Sequence, residues 1–187
     1  MLIRHAEPSR DGAGCAAIYG PSVSDGISSL EEVPPSAEEM SGRIERIGAR
    51  FPWLVAETER EPLGFTYASA HHERACYRWS VNVAVYVAAP HQRRGIGRAL
   101  YAALIPLVVQ QGMYVACAGI TLPNDASVAL HEAFGFKPVG VYRRIGWKFG
   151  SWRDVGWWEL QLRPPSSEGP PAELGPPARL DGEYDRL

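Results

Sequence analysis

The junction between one strand and one helix constrains this chain most. Cys76 to Val87 (CYRWSVNVAVYV) is rich in β-branched and aromatic residues and reads as a central strand. Residues 95–111 place Ile96, Leu100, Leu104, Leu107 and Val108 on one stripe, the pattern of a helix, and Gly112 ends it. Pro106 falls inside that stripe and predicts a kink. Between the two lies His91-Gln92-Arg93-Arg94-Gly95-Ile96-Gly97-Arg98. Glycines let backbone N–H groups come close to a ligand. The first N–H groups of a helix, with its dipole, favour an anion. Arg93, Arg94 and Arg98 add positive charge, so the segment reads as a pyrophosphate site. It lacks the Gly-Lys-Ser/Thr of a Walker loop and the spacing of a dinucleotide-binding G-x-G-x-x-G. Taken alone, these residues leave a plain turn with solvated arginines equally open.

The rest of the chain reads as alternating short elements. Residues 2–7 predict a strand, Asp11–Tyr19 a helix, and Ser36 with Glu39 the capping box of a helix running to Ala49. Trp53–Thr58 and Leu63–Ala70 predict a hairpin about a turn at Glu59–Pro62. Tyr114–Ile120 predicts a strand and Asn124–Phe134 a helix closed by Gly135. Phe136–Arg144 and Val155–Leu162 predict the last two strands. The mixture predicts an α/β (α+β) fold rather than a strict βαβ alternation. Residues 1–163 are expected to form one domain. Residues 164–187 hold Pro-Pro pairs at 164/165, 170/171 and 176/177 with little apolar periodicity. Such a segment buries too little surface to offset its ordering entropy, so a disordered or loosely docked tail is expected.

Composition narrows the partners. The 187 residues carry a formal net charge of -2. That balance offers no basic stripe for nucleic acid and no polybasic membrane anchor. Lys137 and Lys148 are the only lysines, so arginine supplies nearly all the positive charge. Cys15, Cys76 and Cys117 are odd in number and lack metal-ligand spacing, so no metal is expected. With no apolar leader after Met1, a reducing, cytoplasmic location is expected.

Several short motifs occur together in order. Gln92-Arg93-Arg94-Gly95-Ile96-Gly97 follows a strand and opens a helix, and Asn124-x-x-Ser127-x-x-x-His131-x-x-x-Gly135-Phe136 follows it. Ile18-Tyr19, Pro52-Trp53-Leu54-Val55-Ala56-Glu57, Tyr77-Arg78-Trp79-Ser80, Leu122-Pro123-Asn124 and Trp152-Arg153-Asp154-Val155-Gly156-Trp157-Trp158 complete the set. Over residues 2 to about 162 the chain resembles the GNAT superfamily of N-acetyltransferases. Within it, it is similar to the phosphinothricin, methionine sulfoximine and arsinothricin group. The resemblance implies a mixed, mostly antiparallel sheet of about seven strands flanked by about four helices. It also implies acetyl-CoA as cosubstrate, a small amino-acid-like amine as substrate, and a homodimer.

Residue roles follow from the resemblance. Val85, Tyr86 and Val87 are expected to offer backbone groups to pantetheine. Gln92, Arg93, Arg94, Gly95, Ile96, Gly97 and Arg98 are expected at the pyrophosphate. Asn124 and Ser127 are expected to bind the coenzyme, and Asn124 also reads as a helix N-cap. His131 is the leading acid–base candidate, since a histidine titrates near neutrality; a helix histidine packed near the core is the alternative. His72, Arg74, Arg78 and Leu30 are expected at the substrate. Two departures stand out. Relatives carry glutamate where this chain has Asn82, and an amide cannot take up a proton at physiological pH. Relatives also often show two arginines where His72 and Arg74 stand. Acetylation of another amine, such as a peptide N-terminus, and acyl-CoA binding without turnover therefore remain open.

Overall fold

The computed structural model describes residues 1–164 and 171–180, and the backbone of 184–185. The elements are β1 (Leu2–His5), α1 (Pro8–Ser24), α2 (Ala37–Gly48), β2 (Trp53–Thr58), β3 (Glu61–Ala70), β4 (Ser80–Val87), α3 (Ile96–Gln111), β5 (Val115–Leu122), α4 (Asp125–Ala133), β6 (Lys137–Lys148), β7 (Ser151–Gln161) and β8 (Tyr184–Asp185). The strands form one sheet in the order β6-β7-β5-β4-β3-β2-β1-β8. The pairing is antiparallel except between β4 and β5, which run parallel. This is the mixed, mostly antiparallel sheet with four α-helices that the resemblance implies, with the short β8 added at the edge.

Alternation along the strands separates two cores. Val81 and Val83 of β4 and Ala116, Ala118 and Ile120 of β5 pack against Leu100, Leu104 and Val108 of α3. On the opposite face, Trp53, Val55 and Phe65 meet Cys15 and Val23 of α1 and Met40 and Ile44 of α2. The capping box forms as predicted. Ser36 Oγ accepts the Glu39 N–H at 3.1 Å and Glu39 Oε2 accepts the Ser36 N–H at 2.7 Å.

Four elements differ from the sequence reading. The strand predicted over Cys76–Val87 starts only at Ser80, because Ala75–Tyr77 forms a 3-10 turn. Arg78 closes that turn by donating to the Ala75 carbonyl at 3.1 Å while its guanidinium stacks 4.0 Å over Trp79. The aromatic run that suggested a strand serves this stacking. The first helix is longer, starting at Pro8, whose missing N–H is harmless in a first turn. The Asp11 carboxylate accepts the Glu7 N–H at 2.7 Å there. The β2–β3 turn shrinks to Glu59 and Arg60, both at positive φ (48° and 70°), the tight hairpin geometry. Finally, β6 and β7 extend into one long hairpin through Phe149 (φ 50°) and Gly150 (φ 69°). Its register shifts between Tyr142 and Gly146, where Asp154 Oδ1 accepts the Arg144 N–H at 2.7 Å. That irregularity hid the alternation in the sequence.

Part of the proline-rich segment lies on the domain. Trp79 Nε1 donates to the Ala172 carbonyl at 2.9 Å, and the Leu180 N–H donates to His5 Nε2 at 3.0 Å. Leu174 and Leu180 pack against the α3-side core, where Ala178 is buried. For residues 165–170, 181–183 and 186–187 the expectation of a disordered tail lies outside the described residues.

A charge network ties β1 and β2 to α1. Arg4 Nη2 lies 2.7 Å from Asp11 and 2.6 Å from Glu57, and Arg10 reaches Glu57 at 2.7 Å. The Arg4 hydrogen bond, ahead of the nearby positive charges, holds the Glu57 carboxyl below its ordinary range. A carboxylate held low in the folded state stabilises the fold above its unfolded value, and the contribution is lost as pH falls through the folded value. The melting temperature should therefore drop as pH falls below about 4.5. Glu57→Gln should lie about 1–3 kcal/mol lower at pH 7 and show a shallower acid slope. Thermal melts from pH 7 to pH 3 check this; equal slopes for both proteins would count against it.

Candidate functional site

The site begins where two parallel strands stop pairing. β4 and β5 pair only from Ser80↔Val115 to Asn82↔Cys117. Beyond that point they part, and a cavity of about 460 Å³ opens between them. Val83–Val87 form one wall and Gly119–Thr121 the other. Each strand stays paired on its outer side, β4 to β3 and β5 to β7. The inner edge of β4 over Val85, Tyr86 and Val87 thus has no strand partner and can pair with an extended ligand.

The mouth of the cavity is the Gln92–Arg98 turn. Arg93 (φ 60°) and Gly95 (φ 83°) adopt left-handed backbone, which glycine accepts without the penalty a side chain brings. Gly95 is the N-cap of α3 and has no side chain to cap it, so the first N–H groups of the helix are left for a ligand. Gln92, Arg93, Ile96, Gly97 and Arg98 line the cavity together with Gly95; Arg94 is exposed beside it. Gln92 Nε2 donates to the Val87 carbonyl at 3.2 Å, fixing the turn to the strand end. Arg98 lies over the Phe134 ring at 5.9 Å. Among the described residues no carboxylate pairs with Arg93, Arg94 or Arg98. These features fit a pyrophosphate.

α4 forms the far side. Asn124 Oδ1 caps it by accepting the Ser127 N–H at 3.1 Å, and both residues line the cavity. His131, one turn on, is buried. Its Nδ1 lies 2.7 Å from the Ser127 carbonyl, which only accepts, so Nδ1 carries the proton. Nε2 then accepts the Tyr101 hydroxyl at 2.8 Å. Burial lowers the His131 pKa and raises that of Tyr101 well above its ordinary value. The imidazole is therefore neutral at neutral pH, with both nitrogens engaged.

The remaining candidates are not brought together, and only Asn82 adjoins the parting strands. Asn82, in the last paired position, accepts from His71 Nδ1 at 2.8 Å. His72 and Arg74 sit in the exposed loop after β3, with His72 Nδ1 accepting the Arg74 N–H at 3.1 Å. Arg78 is drawn to Trp79 and to Glu173 of the C-terminal segment at 3.3 Å. Leu30 lies against Gly146, where a Cβ would come within 2.6 Å of its Cδ1, so a larger residue there would displace it. The described residues thus place Asn82 near the inner end of the cavity and His72, Arg74 and Arg78 on the rim of the sheet.

The comparisons agree with this geometry. Residues 25–136 match the acetyltransferase (GNAT) family, and the chain belongs to it. The phosphinothricin N-acetyltransferase of Streptomyces viridochromogenes is 42% identical over 137 residues, covering 73% of this chain and 75% of that protein. An L-methionine sulfoximine/L-methionine sulfone acetyltransferase of Pseudomonas aeruginosa is 31% identical over 156 residues, 82% of this chain and 91% of that one. The crystal structure of a phosphinothricin acetyltransferase from Sinorhizobium meliloti in complex with acetyl-CoA superposes with a TM-score of 0.84 at 34% identity, covering 91% of this chain and 92% of that one. The protein is an acetyl-CoA-dependent N-acetyltransferase.

Some lining residues carried no sequence signal. Ser22 reaches the cavity from the last turn of α1 and Ser28 from the loop after it, where Asn124 Nδ2 donates to Ser28 Oγ at 3.5 Å. Lys148 pins that loop: its Nζ donates to the Ser29 carbonyl at 2.6 Å and the Glu31 carbonyl at 2.9 Å. Glu31 in turn pairs with Arg43 at 2.8 Å. Lys148→Met removes both anchors across a distance that sequence cannot show. It should make the loop at residues 25–35 cleave several-fold faster in limited proteolysis, and an unchanged rate would refute the anchoring role.

Proposed function

We propose that this acetyltransferase moves the acetyl group of acetyl-CoA to the amine of a small amino acid of the phosphinothricin, methionine sulfoximine or arsinothricin kind. The observation that carries this reading is the cavity between β4 and β5, with an uncapped helix start and unpaired arginines at its mouth. Val85, Tyr86 and Val87 pair with the pantetheine arm, and Gln92–Arg98 hold the pyrophosphate. Asn124 and Ser127 fix the arm from α4. From Val87 to Asn82 the strand spans about 17 Å, enough to bring the thioester from the mouth to the apex. The relatives named above are named for amino acids, whose shared carboxylate supports an anion-binding rim. Arg74 is the bidentate anchor there, aided by His72, Arg78 and the apolar Leu30.

In this reading the neutral His131 acts on the sulfur side as a relay, taking up the proton the amine loses as the amide forms and passing it to the leaving thiolate. The protein works as a cytoplasmic homodimer. The exposed Val139, Ile145, Trp147, Phe149 and Trp152 of the β6–β7 hairpin support that assembly. No helix among the described residues is long and apolar enough to cross a membrane.

Thiol release from acetyl-CoA, measured over a panel of amines, tests the reading. Release with phosphinothricin and methionine sulfoximine but not with peptides is expected. Release with peptides alone would replace the substrate class, and tight coenzyme binding with no release on any amine would make this a binding module. Replacing Arg93 and Arg94 together by alanine should raise the acetyl-CoA KM about tenfold, one to two lost charge-assisted contacts, with kcat within about threefold. His131→Gln should lower kcat about 10²-fold with the acetyl-CoA KM nearly unchanged. A fall in melting temperature without a fall in kcat of the folded enzyme would assign His131 a structural role.

A further inference from the structure

We propose that His71, held by Asn82, is the general base that deprotonates the substrate amine. The inference rests on the acetyltransferase reading above and deepens it. Asn82 replaces an expected carboxylate, and its amide takes up no proton. The carboxamide instead bonds to a group that does. Asn82 Oδ1 lies 2.8 Å from His71 Nδ1. A carbonyl oxygen only accepts, so Nδ1 carries the proton and Nε2 of the neutral ring keeps its lone pair. Asn82 thus sets the tautomer of a base, as second partners of catalytic imidazoles do.

Position supports the assignment. Asn82 and Cys117 are the last pair before the strands part. The His71 ring meets the Trp157 ring edge-on at 5.9 Å, and the Trp157 ring covers Gly119, where a Cβ would lie 3.3 Å from it. An imidazole touching Asn82 of β4 and Trp157 of β7 spans β5 at residues 117–119. That lies just past the inner end of the cavity, whose walls begin at Val83 and Gly119, on the face opposite α3. His131 is differently placed, since both its nitrogens bond within the protein.

The step balances as follows. Nε2 takes one proton from the substrate ammonium. The freed amine attacks the thioester carbonyl, the C–N bond forms, and the C–S bond breaks with its electron pair leaving on sulfur. The second N–H proton, lost as the amide forms, neutralises the thiolate. The imidazolium returns its proton to solvent.

Other titratable groups face the same ring. His72 stacks on Tyr77 at 4.9 Å, and Tyr77 lies 6.1 Å from His71. The Cys117 thiol, pushed up to about 11 by burial and then by Glu159, stays protonated at neutral pH. Glu159 is the register partner of both Cys117 and Lys137. Arg74 is exposed in the same loop.

The test is the pH profile of kcat/KM for the amine. The wild-type enzyme should show an ionisation whose unprotonated form is active. His71→Gln keeps a side chain able to bond Asn82 but supplies no base. It should lose that ionisation and fall about 10²-fold at pH 7, with the acetyl-CoA KM unchanged. Adding Asn82→Glu to His71→Gln should recover at least about a tenth of the activity, because the carboxylate restores a base at the apex. His71→Asn serves as a second variant should the first fold poorly. Full activity and an unchanged profile in both His71 variants would overturn the proposal while leaving acetyl transfer standing. Loss of the ionisation in His72→Gln and not in His71→Gln would also overturn it. Absence of thiol release by the wild-type enzyme on every amine would instead sink the underlying reading.

Discussion

A pair of parallel strands ordinarily stays paired as far as both run, because a buried backbone group without a partner costs about 1–3 kcal/mol. Here β4 and β5 pair only to Asn82 and Cys117, although β4 continues to Val87 and β5 to Leu122. Each is held on its other side, β4 by β3 and β5 by β7, so neither can swing to close the gap. The α3–α4 contact helps keep it open, since at Gly97 even a Cβ would meet Leu130 at 3.3 Å. The unpaired edge is thus imposed by the rest of the sheet, and it provides a place for a ligand that supplies the missing pairing.

The same logic holds at the two ends of the gap. At the mouth, Arg93 sits at φ 60°, a conformation costing a non-glycine residue about 1–2 kcal/mol. With the uncapped start of α3, it makes the turn less stable alone than with an anion bound. The over-determined parts lie elsewhere. The Arg4–Asp11–Glu57 network fixes β1, β2 and α1, and Lys148 fixes the α1–α2 loop. Rigid elements around a deliberately incomplete edge give a preformed site.

Much of this was legible in the sequence because it is local. The Gln92–Arg98 turn, the Ser36–Glu39 capping box and the α3 stripe each depend on residues a few positions apart. What was not legible depends on partners far along the chain. Cys76–Trp79 has strand-like residues, yet its turn is fixed by Arg78 stacking on Trp79. The long β6–β7 hairpin hides behind a register shift closed by Asp154. Ser28 enters the site through the loop that Lys148 holds. Asn82 was recognisable as a departure, but His71 beside it was not, since only the sheet register shows that a residue after β3 meets one within β4.

That register bears on why an amide and an imidazole suit the apex. A carboxylate at position 82, beside Cys117, would carry its charge in the resting enzyme, and each partly desolvated charge must be offset by partners. The His71–Asn82 pair holds no charge when the ring is neutral. It gains positive charge when it takes up the substrate proton. At that moment Glu159, opposite Cys117 on the adjoining strand, presents negative charge to the same face. Charge then develops during turnover, where stabilising it accelerates the reaction, rather than in the resting enzyme, where it would only cost stability.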